Sequence, residues 1–220
     1  MNYILVGDGG HSRVIQEMIE SAAPSRIAAY LDDRYKKLVK RGDIYYGPIS
    51  AARSVLRHVY CGKLVITVAD NLTRKSVVKR LNLADDCYTS VISTHAIVSP
   101  SAEIGAGTVV MPGAIVNAEA KIGRHGIINT ASVVEHGCRV SDFAHISSKA
   151  CLTSGGKVRE GVLVGANATI IPDVEIGQWA VIGAGATVTS DVPEFAQALG
   201  VPAKVVNKGK GGGFNAYMSF

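Results

Sequence analysis

Every sixth residue in the second half of this chain is aliphatic, and the count never slips. From Val98 the series runs through Ile104, Val110, Val116, Ile122, Ile128, Val134, Val140 and Ile146. It continues through Leu152, Val158, Val164, Ile170, Ile176 and Ile182 to Val188. Four places after each aliphatic stands a second, mostly small residue, beginning Ala102, Thr108, Ala114, Ala120 and ending Ala186, Val192. A period of six matches neither the 3.6 of a helix nor the 2 of a half-buried strand. It matches a triangular prism in which each hexapeptide supplies one short flat face and one corner. The branched side chain fills the narrow axis, and only a small partner fits beside it. Three hexapeptides make a coil of about 18 residues, and about five coils at the ~4.8 Å strand spacing stand about 25 Å tall. Glycine directly follows the aliphatic at Gly105, Gly123, Gly165, Gly177 and Gly183, which reads as relief of the backbone at the turns. A β-sandwich varies its turn lengths, so an unbroken register argues against one.

The first half has another grammar. Tyr3–Gly7 reads as a buried strand, Asp8-Gly9-Gly10-His11 as a turn, and Ser12–Ser21 as a helix with Val14, Ile15, Met18 and Ile19 inward. Further strands are expected at Ile27–Leu31 and Leu64–Val68, with a helix at Leu72–Leu81. Alternating strands and helices imply a small parallel sheet. The expected architecture is therefore a small α/β, Rossmann-like domain over residues 1–85, a parallel β-helix over 86–205 and a flexible tail over 206–220 containing Gly211-Gly212-Gly213. Gly7-x-Gly9 lacks the third glycine of a dinucleotide fingerprint, because Ser12 stands there, so nicotinamide redox chemistry is disfavoured. Amides at the start of the following helix suit a phosphate, and Asp32-Asp33 end a strand where ligands of such sheets bind.

Charge and cysteines narrow the classes. The net charge of +5 comes partly from Lys204, Lys208 and Lys210, and no basic stripe interleaved with aromatics marks a nucleic-acid surface. It suits an anionic small molecule. Cys61, Cys87, Cys138 and Cys151 form no CxxC pair and no zinc spacing, so no metal is expected. No apolar run is long enough to cross a bilayer and no basic leader opens the chain, which reads as cytoplasmic.

The repeat of aliphatic-glycine pairs, closed by Gly200-Val201-Pro202-Ala203-Lys204, resembles the hexapeptide-repeat acyltransferases. With the turn Gly7-Asp8-Gly9-Gly10-His11-Ser12-Arg13-Val14 and the Asp32-Asp33 strand end, the chain is similar to the sialic acid O-acetyltransferase NeuD family, which includes bacterial nucleotide-sugar N-acetyltransferases of the bacillosamine and perosamine type. The resemblance implies a left-handed β-helix, a homotrimer, and acetyl-CoA in the groove between neighbouring prisms. It also implies a nucleotide sugar on the first domain, with Gly9, Gly10 and His11 near the diphosphate and Asp32 or Asp33 near the base.

Acetyl transfer needs a base, donors for the oxyanion and two aligned substrates. His136, in Asn129-Thr130-Ala131-Ser132-Val133-Val134-Glu135-His136, falls two places after an inward residue, where a corner side chain points outward, and the segment is similar to the one bearing the family's catalytic histidine. The family's acid after this histidine is replaced by Gly137, so Glu135, or an acid of a neighbouring subunit, is expected to orient the ring. The resemblance also puts His145 and Asn129 at the acceptor or acetyl group. Steps of eighteen from His136 give Ser154, Pro172 and Ser190 along one edge, with Ser154 read as a coenzyme contact. By resemblance Gly165, Ala166, Gly183 and Ala184 offer backbone groups to the pantetheine arm, and Lys204 approaches the coenzyme phosphates. The expected activity is N-acetylation of a nucleotide-linked amino sugar, UDP-linked and aminated at C4. O-acetylation of a sugar or sialic acid is the near alternative, and a non-catalytic binding or assembly module the alternative of another class.

Overall fold

The computed structural model describes residues 1–22 and 24–208. Five strands form the first sheet: β1 (Asn2–Val6), β2 (Arg26–Leu31), β3 (Val39–Arg41), β4 (Ile44–Gly47) and β5 (Gly62–Ile66). Three helices accompany them, α1 (Gly10–Ser21), α2 (Ala52–His58) and α3 (Asn71–Leu81). The sheet order is β3-β4-β2-β1-β5. The expected parallel sheet is mixed, because β3 runs antiparallel to β4. The β3–β4 hairpin and α2 carry weak periodicity and were not legible. Ile15, Met18 and Ile19 of α1 are buried as expected, but Val14 is 38% exposed and Ser12 takes its place inward.

From Val91 the chain winds as a left-handed β-helix of two-residue strands in three parallel sheets. One face stacks Val91–Ile92, Val109–Val110, Ile127–Ile128, His145–Ile146, Leu163–Val164 and Val181–Ile182, closed by Ala196–Leu199 and the antiparallel Lys204–Lys208. This face carries the first domain and is termed the docked face. The next, termed the bare face, stacks Ile97–Val98, Ile115–Val116, Val133–Val134, Cys151–Leu152, Thr169–Ile170 and Thr187–Val188. The third presents Glu103, Lys121, Arg139, Lys157 and Glu175 outward and is termed the charged face. The inward column from Val110 to Val188 is at most 4% exposed throughout. Burying each such side chain stabilises by about 1.5–3 kcal/mol, which is why the register cannot slip. The Lys204–Lys208 strand extends into the segment read as a tail. The Gly211-Gly212-Gly213 run lies outside the described residues.

The corners obey a second rule that the aliphatic pattern hides. Every sixth residue from Gly107 to Gly185 has a positive φ, including Glu119, His125, Ala131, Phe143, Lys149, Asn167, Asp173 and Trp179. The glycines that directly follow the aliphatics are different. A Cβ on Gly105 would lie 2.5 Å from the Gly123 backbone, and one on Gly165 would lie 2.5 Å from the Ala184 amide. They permit coil-to-coil approach instead of relieving the turns.

Two helices fasten the domains. Ile15, Met18 and Ile19 of α1 share a buried cluster with Val91, Val109 and Met111 of the docked face. From α3, Asn71 Nδ2 donates to the carbonyls of Gly161 and Val162, both at 3.1 Å. Arg74, 1% exposed, donates to the His125 and Phe143 carbonyls, each at 2.8 Å.

Candidate active site

The glycine turn is built from both sides. Gly7 has φ +108°, and a Cβ there would press on Thr67 and Val68 at 3.1 Å, so glycine is required. At Gly9 and Gly10 an added Cβ would meet nothing within 4 Å, so the space above the first turn of α1 is open, where its unpaired amides can hold an anion. Asp32 braces the turn, with Oδ2 accepting from the Asp8 amide at 2.9 Å and Oδ1 from the Arg34 amide at 3.0 Å. Burial opposes ionisation of Asp32, but the Arg34 and Asp8 amides and the Arg34 guanidinium together hold its carboxyl below the usual range. Tyr35 donates to Asp8 Oδ2 at 2.6 Å, which pushes the phenol up to about 12. Asp33 accepts from the Ile49 amide and pairs with Arg80 at 2.8 Å. A cleft of about 490 Å³ opens beside it, lined by Gly7, Asp32, Asp33, Ile49, Leu72 and Arg80 among others. It lies outside the carboxyl ends of β1 and β2, where open α/β sheets bind ligands. A second groove of about 580 Å³ along the β-helix is lined by Asp142, Arg159, Glu160, Glu175, Gln178 and Glu194. Its charged groups are engaged with one another, with Gln178, or with Arg124 and Lys75, and neither His136 nor His145 lines it.

His11 stands at the start of α1 with Nε2 buried and unpartnered. Burial, then the nearby Arg74 cation, lowers its pKa to about 4. His145 projects from the docked face and is 5% exposed beneath the first domain. Its Nε2 lies 2.9 Å from Asn129 Nδ2, and the orientation of that amide is set because Asn129 Oδ1 accepts from the Thr130 amide at 2.7 Å. Nε2 therefore accepts, and the ring is neutral with its proton on Nδ1. Burial, with Arg74 and His11 adding to it, lowers the His145 pKa to about 3, against a weaker pull from the Ala69 backbone. His145 is a neutral hydrogen-bonding group, poorly suited to take a proton.

His136 is different. It sits exposed on the corner between the bare and charged faces, with Nε2 2.9 Å from Ser154 Oγ on the next coil. No hydrogen bond joins it to Glu135 among the described residues, where an orienting contact was expected. The Glu135 carboxylate accepts from Asn117 Nδ2 at 2.9 Å, because the residue one place after the inward Val134 lies beside the same position of the neighbouring coil. Gly137 is one of the left-handed corner residues, at φ 69°.

The expected coenzyme contacts divide between two edges. Ser154 shares the edge of His136. Gly165, Ala166, Gly183 and Ala184 lie with Asn129 on the edge between the docked and bare faces. Six residues separate Ala166 from Pro172 on the His136 edge, a span of at most about 20 Å at ~3.3 Å each, shortened by the left-handed corner at Asn167. The Gly165 and Gly183 amides donate to the carbonyls of Ile182 and Ala198, so they are consumed by the coil ladder. The corner amides of Ala166 and Ala184 make no hydrogen bond among the described residues. Lys204 is exposed at the end of the prism. Sequence reading missed Asn71 and Arg74, whose only signal is an i, i+3 polar pair at a helix start.

A three-sided hexapeptide prism with an outward imidazole on one edge, joined to an α/β domain with an open glycine turn, defines the hexapeptide-repeat transferases. Residues 155–190 match the bacterial transferase hexapeptide (six repeats) model, and residues 2–81 match the PglD N-terminal domain. A mutant of perosamine N-acetyltransferase from Caulobacter crescentus, in complex with CoA and GDP-perosamine, superposes with a TM-score of 0.85 at 31% identity, over 94% of this chain and 97% of that one. The acetyltransferase domain of PglB from Neisseria gonorrhoeae FA1090, in complex with acetyl coenzyme A, gives 0.80 at 28% identity, over 93% and 98%. The chain belongs to the PglD-type hexapeptide-repeat nucleotide-sugar N-acetyltransferases. UDP-N-acetylbacillosamine N-acetyltransferase from Bacillus subtilis (strain 168) is 42% identical over 110 residues, a match that spans 50% of this chain and 51% of that protein.

Proposed function

We propose that this protein transfers the acetyl group of acetyl-CoA to the amine of a nucleotide-linked amino sugar, UDP-linked and aminated at C4. The observation that carries the reading is the contrast among the repeat's histidines. His125 and His145 are buried and their pKa values are lowered, whereas His136 stands exposed on an edge with its ring hydrogen-bonded. His136 takes the proton of the sugar amine as the amine attacks the thioester carbonyl, and returns it to the departing thiolate. His145 and Asn129 contact the acceptor as neutral hydrogen-bonding groups. The glycine turn at Gly9, Gly10 and His11 holds the diphosphate, and the cleft at Asp33 holds the base. The UDP assignment draws on the likeness to the Bacillus subtilis relative, 42% identical over 110 residues, about half of each chain.

The site requires a second copy of the chain. The first domain covers the docked face from Val91 to His145 and the charged face is solvated, but the bare face presents an uncharged ladder of Ile97, Ile115, Val133, Cys151, Thr169 and Thr187, none of them fully buried, with Ile97 66% exposed. The Ala166–Ala184 edge and the His136 edge flank this face. A homotrimer packed through it would set the His136 edge of one copy against the Ala166–Ala184 edge of the next, with the coenzyme arm on the Ala166 and Ala184 amides and its phosphates toward Lys204.

Free-thiol release, measured across UDP- and GDP-linked 4-amino sugars and their 4-hydroxy counterparts, tests the reading. Release is expected with a UDP-linked amine. Release with hydroxyl acceptors alone would make the enzyme an O-acetyltransferase. His136→Ala should lower kcat by about 10²- to 10⁴-fold while acetyl-CoA still binds, and near-normal turnover would remove His136 from the role of base.

A further inference from the structure

We infer that Ser154 is the positioning residue for His136, doing with a neutral hydroxyl what an adjacent carboxylate would otherwise do. The inference rests on the proposed reading of His136 as the base. Three observations carry it. The residue after His136 is Gly137, which has no side chain, and a Cβ placed there would meet nothing within 4 Å. Glu135 is engaged with Asn117. The fold instead sets Ser154 Oγ 2.9 Å from Nε2 of the imidazole, across eighteen residues of sequence.

The direction of that bond follows from the chemistry. If the hydroxyl donated to Nε2, the neutral ring would carry its proton on Nδ1 and have no lone pair left for a substrate. If the hydroxyl accepts from Nε2–H, the lone pair lies on Nδ1, and the same bond persists when the ring becomes an imidazolium, since both nitrogens then donate. Only the second arrangement leaves the bond intact through the reaction. In it the amine proton moves to Nδ1 as the carbon–nitrogen bond forms. The carbon–sulfur bond breaks, and the Nδ1 proton passes to the leaving thiolate, so the ring and Ser154 end as they began. The coil stacking sets the geometry, because the Gly155 amide donates to the His136 carbonyl at 3.1 Å and locks the two corners in register.

The test uses the full chain with acetyl-CoA and the amino-sugar nucleotide that supports thiol release. Ser154→Ala should lower kcat about tenfold, the scale of one neutral hydrogen bond, with KM for both substrates within about twofold of wild type. Ser154→Thr, which keeps the hydroxyl, should recover most of the loss, and Ser154→Ala should cost nothing further in a His136→Ala background. Long-range proton–nitrogen NMR of the imidazoles should show His136 as the Nε2–H tautomer in wild type and as a mixture in Ser154→Ala. A wild-type kcat in Ser154→Ala alongside an inactive His136→Ala would overturn this inference alone. So would a change confined to KM for acetyl-CoA, or an Nδ1–H tautomer in wild type. Near-normal turnover in His136→Ala would instead overturn the underlying reading.

Discussion

His125 shows how one imidazole is converted from a reactive group to a structural one. Its ring stacks on Phe143 with centroids 5.3 Å apart and meets the Tyr88 ring edge-on at 4.7 Å, and Nδ1 is buried without a partner. Burial lowers its pKa to about 4, the Arg74 and Arg124 cations add to that, and Asp142 and Asp85 oppose it weakly. His145, at about 3, behaves alike. A folded pKa below the unfolded ~6.5 means that protons bind the unfolded chain more tightly. The stability these rings contribute is whole above pH ~6.5 and is lost as pH falls from there toward 4. The melting temperature should therefore fall by several degrees between pH 7.5 and 4.5, as followed by circular dichroism. His125→Phe, which keeps the stacking, should shrink that fall, and an unchanged pH dependence would show that His125 does not titrate on unfolding.

At the scale of elements, the hexapeptide uses glycine in two ways that sequence alone does not distinguish. Gly123 has its would-be Cβ 2.5 Å from the Asp142 amide, whereas Gly137 has open space but φ 69°. Gly123→Ala must push coils apart and is expected to cost at least about 3 kcal/mol, at the upper end of overpacking. Gly137→Ala meets only the left-handed backbone penalty, about 1–2 kcal/mol. Urea denaturation of both variants checks the order. The helix α3 is likewise two-sided. Leu72 and Arg80 line the nucleotide-type cleft, while Asn71 and Arg74 bind carbonyls of the β-helix. Arg74→Met would leave the buried His125 and Phe143 carbonyls unpaired, at about 1–3 kcal/mol each. Hydrogen exchange should show α3 opening first in that variant, and equal protection in variant and wild type would argue against the fastening role.

At the scale of the whole molecule, the candidate groups fall on two edges of one prism. His11, His145, Asn129, Ala166 and Ala184 serve one edge, and His136 with Ser154 the other. If the working site forms between copies, a His136→Ala chain and a His145→Ala chain, each poorly active alone, should regain activity when coexpressed as mixed oligomers. Some interfaces then pair the intact halves. The expected recovery is a fraction of wild-type turnover, and none at all would place both groups in a site formed within one copy. Val133→Glu, a charge in the middle of the bare face, should separate the copies by sedimentation velocity and abolish turnover, while the first domain still binds UDP.

The hexapeptide winding, the small α/β domain ahead of it and the outward placement of His136 were all legible in the chain, because each depends on local periodicity that neighbouring coils repeat. The inward column from Val110 to Val188 needs no knowledge of distant residues to be found. What the periodicity could not show is which face another domain would cover. His136 and His145 both look like outward histidines in the repeat, and only the docking of α1 and α3 buries one and leaves the other in water. The same holds for Glu135, adjacent to His136 in the chain yet turned to Asn117; the eighteen-residue step put Ser154 on the edge of His136, but only the folded coil stack shows its hydroxyl meeting the ring. Such partners are set by stacking and desolvation, which act across coils and between domains, where spacing along the sequence carries no information about burial.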